Sequence, residues 1–428
     1  GNCIPSGYTT TDTMVSMPRA DFDAVIVGAG AAGLMAAIHA AERGRRVLLL
    51  EKGKKPGVKI LMSGGTRCNI THDCDARGII AAFGPNGKFL HSALAALGPR
   101  ETVAFFEAEE VATKVEATGK VFPVSNRAVD VLDALLRRLA RSGATLSLQE
   151  PAREILPHSE GGFRVVTSSR TITCEKVLVT TGGRSYPGCG TTGDGYSWAA
   201  ALGHAILPPR PALVPITVQP SWIGELRGIT LPDIELKVLT AEGKLLAARR
   251  GSMLFAHFGL SGPAPLDVSR AISGHPEPAT LTLELDLLPG EAEERFDEFI
   301  RVESAARGKQ LLASVLAEKL PRRVADQLLV LCGLPTHRTA AALSKVDRQI
   351  LVSKAKRLRL PVAGTLGFEK AEVTAGGVSL DEVDSKTMQS KKHPGLYLAG
   401  EILDLDGWIG GYNFQSAWST GWLAGREL

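Results

Sequence analysis

Residues 25–33 read VIVGAGAAG, three glycines spaced as Gly28-x-Gly30-x-x-Gly33 directly behind an apolar, β-rich run. Gly28 permits a tight turn, Gly30 leaves the backbone bare enough for a pyrophosphate to approach, and Gly33 lets a helix lie close against a strand. The expected continuation follows. Ala31–Arg43 is Ala-rich, reads as a helix and is stopped by Gly44. Ala31 and Ala32 stand in its first turn, where free N–H groups and the helix dipole favour phosphate. Val47–Leu50 is a wholly apolar strand of the kind buried in parallel sheets. Glu51 ends it, 23 residues after Gly28, where an acid accepts ribose hydroxyls, and Lys52 follows. The glycines alone would also fit a tight turn in any α/β protein. With strand, helix, second strand and terminal acid in place, they predict a Rossmann-like dinucleotide site. The acid favours FAD or NAD and disfavours a bound 2′-phosphate.

The remainder is organised around that unit. Arg127–Arg141 has apolar residues at helical spacing, with Ser125 or Asn126 as cap and Gly143 as stop. Strands are predicted at Thr145–Leu148 and Lys176–Thr180. Five prolines between 207 and 220 mark an inter-domain crossing. Short strands such as Ile234–Leu239 and Thr280–Leu285 follow, to about 290. Residues 291–360 read as mostly helical, with Leu311, Leu312, Val315, Leu316 and Leu320 on one face. Glycine-rich character returns after Pro361. The expected segments are therefore 21–206 for the first part of the dinucleotide-binding domain, 207–290 and 291–362 for an insert, and 363–428 for its second part. Residues 1–20 lack a signal peptide's basic start and apolar core; they read as a tail or fusion scar, with Met14 or Met17 as candidate starts.

Composition narrows the function classes. Hydrophobic residues make up 44% and charged residues 22% of 428, which is globular and not disordered. No apolar run approaches the roughly 18 residues of a membrane-spanning helix. Net charge is only +4, which argues against a dedicated nucleic-acid binder. The excess lies in 291–360, with 14 Lys/Arg against 9 Asp/Glu. Six cysteines without a CxxC pair do not make a disulfide scaffold, so a reducing cytoplasm is the expected setting.

Other motifs carry less on their own. Gly188-x-Gly190-x-x-Gly193 repeats the glycine spacing, but a loop separates it from the preceding strand and no acid lies between Asp194 and Glu225. It is read as a decoy, which leaves NADPH without an obvious site. KILMSGGTRCN (59–69) places Lys59, Ser63, Gly64, Gly65, Arg67 and Asn69 in one loop, suited to a diphosphate or an anionic flavin ring, or else simply a surface loop. Cys68 and Cys74 are not at the spacing of a redox dithiol and read as unrelated thiols. The Lys354–Arg359 cluster could grip phosphate or RNA, but reads more simply as a solvated helix end. His257, in LFAHFGLSGPAPL, is a lone imidazole beside a tight turn.

Taken in order, GAGAAG with Glu51, KILMSGGTRCN, TTGGRSYPGCGTTGDGY (180–196), LFAHFGLSGPAPL (254–266), TAGGV (374–378) and LAGEILDLDGWIGGYNFQSAWSTG (398–421) resemble the BaiN/YhiN-like flavoproteins, also called the aminoacetone oxidase family. The resemblance spans about 22–428. It implies an FAD/NAD(P)-binding Rossmann-like domain interrupted by a β-barrel and helical insert, with non-covalent FAD. It implies that Thr180, Thr181 and Gly182 pass the cofactor and that Ala152 holds the adenine through backbone. Gly400 and Glu401 would serve the ribityl or phosphate region, and Gly411, Tyr412 and Asn413 would open a helix facing the flavin. Thr66 stands where the family pattern leads one to expect a third glycine. The implied activity is NAD(P)H-linked reduction of an enone or carbonyl of a small hydrophobic molecule. Arg67 would stabilise reduced flavin, and His257 and Tyr412 would donate protons. An oxygen-using amine oxidase and an RNA-modification or interaction module are the competing readings.

Overall fold

The computed structural model describes residues 20–428; the tail expected at 1–20 falls, but for Ala20, outside the described residues. The apolar runs around the glycine motif form the centre of a seven-stranded sheet. Phe22–Val27 pairs in parallel with Val47–Leu50 on one side and Thr171–Val179 on the other, so that Ile26 lies between Leu49 and Leu178. Thr145–Ser147 extends one edge, and the antiparallel pair Phe163–Thr167 and Ala152–Pro157 extends the other. Leu396–Leu398 adds in parallel to the end of Thr171–Val179, so the last part of the chain completes the sheet begun by the first.

Helix Ala31–Glu42 packs on this sheet, and the final helix Tyr412–Glu427 packs on that helix. Their approach is set by glycine. A Cβ on Gly421 would sit 2.3 Å from the Ala32 carbonyl oxygen, and one on Gly425 2.6 Å from that of Ala36. Trp418, fully buried, fixes the other side by donating its indole N–H to the Ile70 carbonyl at 2.9 Å.

The chain leaves and re-enters this domain through one ribbon. Ile206–Ala212 pairs antiparallel with Val373–Val378. Three of the five prolines expected to mark a crossing, Pro208, Pro209 and Pro211, therefore sit in a strand. The ladder is irregular between Leu207 and Arg210, where Pro208 and Pro209 have no N–H to give. Beyond the ribbon lies a closed barrel of six antiparallel strands, in the order Ile216–Val218, Gly259–Ser261, Leu245–Ala256, Thr230–Leu239, Thr282–Asp286 and Leu358–Thr365. The helices Glu293–Ala306, Leu312–Leu316, Arg322–Leu331 and Lys345–Lys356 lie between the last two strands in sequence. The helical part is thus an insertion within the barrel, and the closing strand runs across the expected boundary at 362.

Several local expectations change. Leu312, Val315, Leu316 and Leu320 are buried as one face, but Leu311 precedes the helix and is exposed. The helix Ala128–Ser142 begins without a side-chain cap; Ser125 accepts from the Arg127 N–H, and Asn126 takes φ +56° to make the turn. Helix Pro263–Ser273 replaces an expected turn. Its prolines lie in the first turn, where a helix needs no amide hydrogens from them, and Ala264, Val268 and Ile272 join the barrel core.

Gly421→Ala sets two effects against each other. Alanine gains about 1 kcal/mol of helix propensity, and overpacking in a tight contact costs about 1–3 kcal/mol. Contact with a backbone oxygen, which cannot rotate away, decides the balance. The variant is expected to melt below the wild type by differential scanning calorimetry; an unchanged or higher Tm would show that the two helices can separate freely.

Candidate functional site

The glycine turn opens onto a cavity of about 640 Å³. Its walls come from the nucleotide half of the sheet, from segment 57–69, from the strand end at 180–182, from the ribbon, and from the loop that precedes the last helix. Gly28, with φ +108°, turns the chain beneath Thr180, whose hydroxyl donates to the Gly28 carbonyl at 2.9 Å. Nothing lies within 4 Å of where a Gly30 Cβ would be, so the backbone there faces open space. Gly33 does not line the cavity. A Cβ on it would lie 1.9 Å from the Gly28 oxygen, so its role is close packing, as its place in the motif predicts.

Glu51 is held in place by backbone. Its Oε2 accepts from the Ala29 N–H at 3.1 Å and its Oε1 from the Gly53 N–H at 2.7 Å. Ala31, Ala32, Lys52, Lys59, Ser63, Gly64, Gly65, Arg67, Asn69, Ala152, Thr180, Thr181, Gly182, Gly400, Glu401, Gly411 and Asn413 line the same cavity. Several of their side chains are already committed. Lys52 pairs with Asp194 at 2.5 Å and donates to Thr192 at 2.7 Å. Lys59 donates to Glu401 at 2.9 Å and to Ser185 at 2.7 Å, and Glu401 also accepts from Ser185 and from the Thr374 N–H. Asn413 is bonded to the backbone of Gly407 and Trp408. Arg67 pairs with Glu116 at 2.7 Å and lies 4.0 Å over the Phe122 ring.

Two proposed proton donors are displaced from the cavity lining. His257 is exposed on the hairpin turn between two barrel strands, edge-on to Phe258. A tight turn does fix this imidazole, but at the barrel surface. Tyr412 is buried, stacked on His72 with ring centroids 4.5 Å apart. His72 in turn bonds the Gly410 carbonyl through Nδ1 at 3.0 Å. This stack holds the loop in front of the last helix, a role for His72 that sequence reading missed.

The minor motifs resolve simply. Burial pushes the Cys68 thiol up to about 12 and, with the charges of Asp75 and Asp73 adding, the Cys74 thiol up to about 11, so neither is an activated nucleophile. The Gly188–Gly193 segment forms a short turn before helix Asp194–Ala201 and borders the same cavity. In the basic cluster, Lys356 pairs with Asp286, Arg357 with Glu293 and Arg359 with Glu284.

The same cavity is also lined by Lys120 and Phe122, by Leu213, Glu372 and Val373 at the start of the ribbon, and by Leu405 and Ile409, the part we call the chamber. None of these carries a motif; the ribbon and the loop bring them together. Glu372 lines the cavity and is exposed. Desolvation pushes its carboxyl above the ordinary range, against the pull of Lys120 and Lys59.

The walls fit a dinucleotide. Asn69 Oδ1, Thr181 Oγ1 and Thr191 Oγ1 are buried without a partner among the described residues, and all three belong to cavity-lining residues. Buried polar atoms are ordinarily satisfied, so a polar ligand is their natural complement. Helix Ala31–Glu42 has no acid in its first turn to oppose phosphate.

This fold and site define an FAD-dependent oxidoreductase of the Rossmann type. Residues 22–427 match the HI0933-like protein Rossmann domain, and the chain belongs to that family. It is 37% identical over 410 residues to a ribosomal RNA dihydrouridine synthase of Escherichia coli (strain K12), covering 95% of this chain and 98% of the relative. It is 32% identical over 409 residues to a 3-dehydro-bile acid delta(4,6)-reductase of Clostridium scindens, covering 94% and 97%. A crystal structure of 3-ketosteroid-delta4-(5alpha)-dehydrogenase from Rhodococcus jostii RHA1 shares the fold, with a TM-score of 0.54 at 15% identity over 97% of this chain and 98% of that one. Among the described residues no helix is long and apolar enough to cross a membrane.

Glu51→Ala removes the carboxylate that the motif leads one to expect at the ribose. A charged hydrogen bond contributes about 1.5–3 kcal/mol, so FAD affinity measured by fluorescence titration is expected to fall about tenfold to a hundredfold. Thr66, β-branched at φ +68°, carries strain of about 1–2 kcal/mol. Thr66→Gly is therefore expected to hold or raise the Tm and to keep FAD, unlike Thr→Gly at an unstrained position; a clear loss of stability would place Thr66 in packing instead.

Proposed function

We propose that the chain uses FAD to reduce a carbon–carbon double bond conjugated to a carbonyl, and that the substrate is a uracil ring of ribosomal RNA, with NAD(P)H as the source of electrons. The observation that carries this reading is the chamber itself. It adjoins the dinucleotide site and sets an ammonium group, Lys120, and a carboxyl group, Glu372, among Phe122, Leu213, Val373, Leu405 and Ile409. A flat heterocycle with carbonyl and N–H edges matches that mixture better than an all-carbon ring system does.

The names of the relatives support one chemistry. Forming dihydrouridine and removing the unsaturation of a 3-oxo bile acid both add hydrogen across a double bond activated by a carbonyl. FAD supplies the hydride in such a reaction. The chain's part is to hold the ring against the cofactor, exclude water from the chamber and place a proton. The small net charge does not weigh against an RNA substrate. Whole-chain charge averages over surfaces that never meet the ligand, whereas base recognition rests on a few local contacts.

The test is anaerobic. Protein loaded with FAD is reduced by NADH or NADPH and mixed in parallel with ribosomal RNA, with a 3-oxo-Δ4,6 steroid, or with oxygen-saturated buffer. Recovery of oxidised flavin absorbance with RNA, and a two-hydrogen mass gain in one uridine, is the expected result. Reoxidation by the steroid alone would replace the substrate class. Peroxide formation with an amine as the only efficient turnover would replace the reaction by an oxidase.

A further inference from the structure

Five acidic residues line the cavity, and four have their carboxylates engaged. Glu51 accepts from two backbone amides. Glu150 is bound by Arg170 and three hydroxyls, which pull its carboxyl down to about 2. Asp194 pairs with Lys52, and Glu401 is bound by Lys59, Ser185 and the Thr374 amide. The carboxyl of Glu372 has no hydrogen bond among the described residues, although its backbone is fixed on both sides. Its N–H donates to the Leu213 carbonyl, and its carbonyl accepts from Ser185. The cations divide in the same way. Lys52, Lys59 and Arg67 are paired. Lys55 borders the dinucleotide end, and Lys120 faces the chamber without an ion pair among the described residues.

We propose that Glu372 is the proton donor to the substrate and that Lys120 holds the substrate's carbonyl oxygen. The assignment rests on the reductase reading above. The balance is that of a conjugate reduction. With FAD bound and reduced by NAD(P)H, the cofactor would supply a hydride to the carbon β to the carbonyl. The π electrons of the double bond move onto the oxygen, where the negative charge of the enolate faces the Lys120 ammonium. The carbon α to the carbonyl then takes the proton from the Glu372 carboxyl, the C=O re-forms, and the carboxylate regains a proton from water at the cavity mouth. One hydride and one proton are added, and flavin is left oxidised. Lys59, Lys120 and Asp267, the last paired with Arg249, are the charged groups that act on this carboxyl. The two lysines favour its ionisation, and desolvation together with Asp267 opposes it. Glu372 must be protonated to act, so substrate reduction is expected to fall as pH rises through its raised pKa.

Two measurements test this. Infrared difference titration of wild type against Glu372→Gln, without substrate, is expected to show one carboxylic acid band that titrates above the ordinary 4.5 and is absent from the variant. Stopped-flow then separates the half-reactions. Glu372→Gln is expected to keep its FAD and its rate of reduction by NAD(P)H, but to reoxidise with substrate about 100- to 10,000-fold more slowly, without the alkaline fall seen in wild type. Lys120→Met is expected to slow the same step. Absence of the band, or equal reoxidation rates at every pH in a variant that holds FAD, would overturn the assignment alone. A reduced wild type that no conjugated carbonyl compound or RNA reoxidises would overturn the reductase reading and this proposal with it.

Discussion

The flavin domain depends on a contact that contains almost no side chain. Gly28, Gly33 and Thr180 bring the end of the first strand, the start of the first helix and the end of the Thr171–Val179 strand into backbone contact, secured by the Thr180 hydroxyl bonding the Val27 and Gly28 carbonyls at 3.1 and 2.9 Å. Any Cβ at Gly33 would overlap a carbonyl oxygen. The same helix is closed in on a second face, at Ala32 and Ala36, by Gly421 and Gly425. It is therefore confined on two faces by small residues, which is why Ala31–Glu42 is so rich in alanine and glycine. The reward is a helix N-terminus fixed in position, with Glu51 on the neighbouring strand aimed by the Ala29 amide of the same turn.

A second set of contacts makes the insert part of the site. Asp267, at the first turns of the barrel helix, accepts from Arg249 at 2.8 Å and from the Ile409 N–H at 2.7 Å. Arg249 also lies 3.7 Å over the Trp408 ring. Arg270 reaches Asp406 at 3.1 Å, and Asp404 accepts from the Gly376 N–H at 3.0 Å and from Asn86. Loop 404–411 is thereby gripped from barrel, ribbon and flavin domain together. Burial pushes the carboxyls of Asp267 and Asp406 up, and the arginines beside them oppose that shift. In both pairs the carboxylate is buried and the arginine partly exposed, so losing the arginine would leave a buried carboxylate uncompensated.

What was legible in the sequence follows from how local each feature is. The βαβ unit and Glu51 could be read because their periodicity and spacing lie within about 30 residues, the span of one such unit, whereas Thr180 and Thr181 were singled out by the family resemblance alone. The insertion could be placed because prolines and returning glycines bracket it. Pro263–Ser273 escaped because prolines at a helix start look like a breaker. The donors were misplaced for a different reason. His257 and Tyr412 were chosen as chemically apt residues beside glycines, yet whether a side chain meets the cavity is decided by barrel closure and by the His72 stack. Lys120 and Glu372 carry no motif at all. They share a chamber only because Lys120–Pro123, the middle strand of a small sheet between Thr71–His72 and Thr113–Val115, and the returning arm of the ribbon come together in space, a relation between residues about 250 positions apart (372 against 120).

The nesting of helices inside a barrel, and of the barrel inside the flavin domain, also orders the events of biosynthesis. As the chain emerges, the glycine turn is made almost at once, yet its sheet lacks Leu396–Leu398 and its helix lacks the covering Tyr412–Glu427 until those segments are free. The barrel likewise waits for Leu358–Thr365, which appears only after four helices have been made. Long-range pairings of this kind slow folding, because chain entropy is lost before contacts compensate. For most of its synthesis the nascent chain carries a half-built nucleotide fold with an apolar helix unprotected. Completion of the cofactor domain is thus tied to the emergence of Tyr412–Glu427, whereas the barrel can close once Leu358–Thr365 is free.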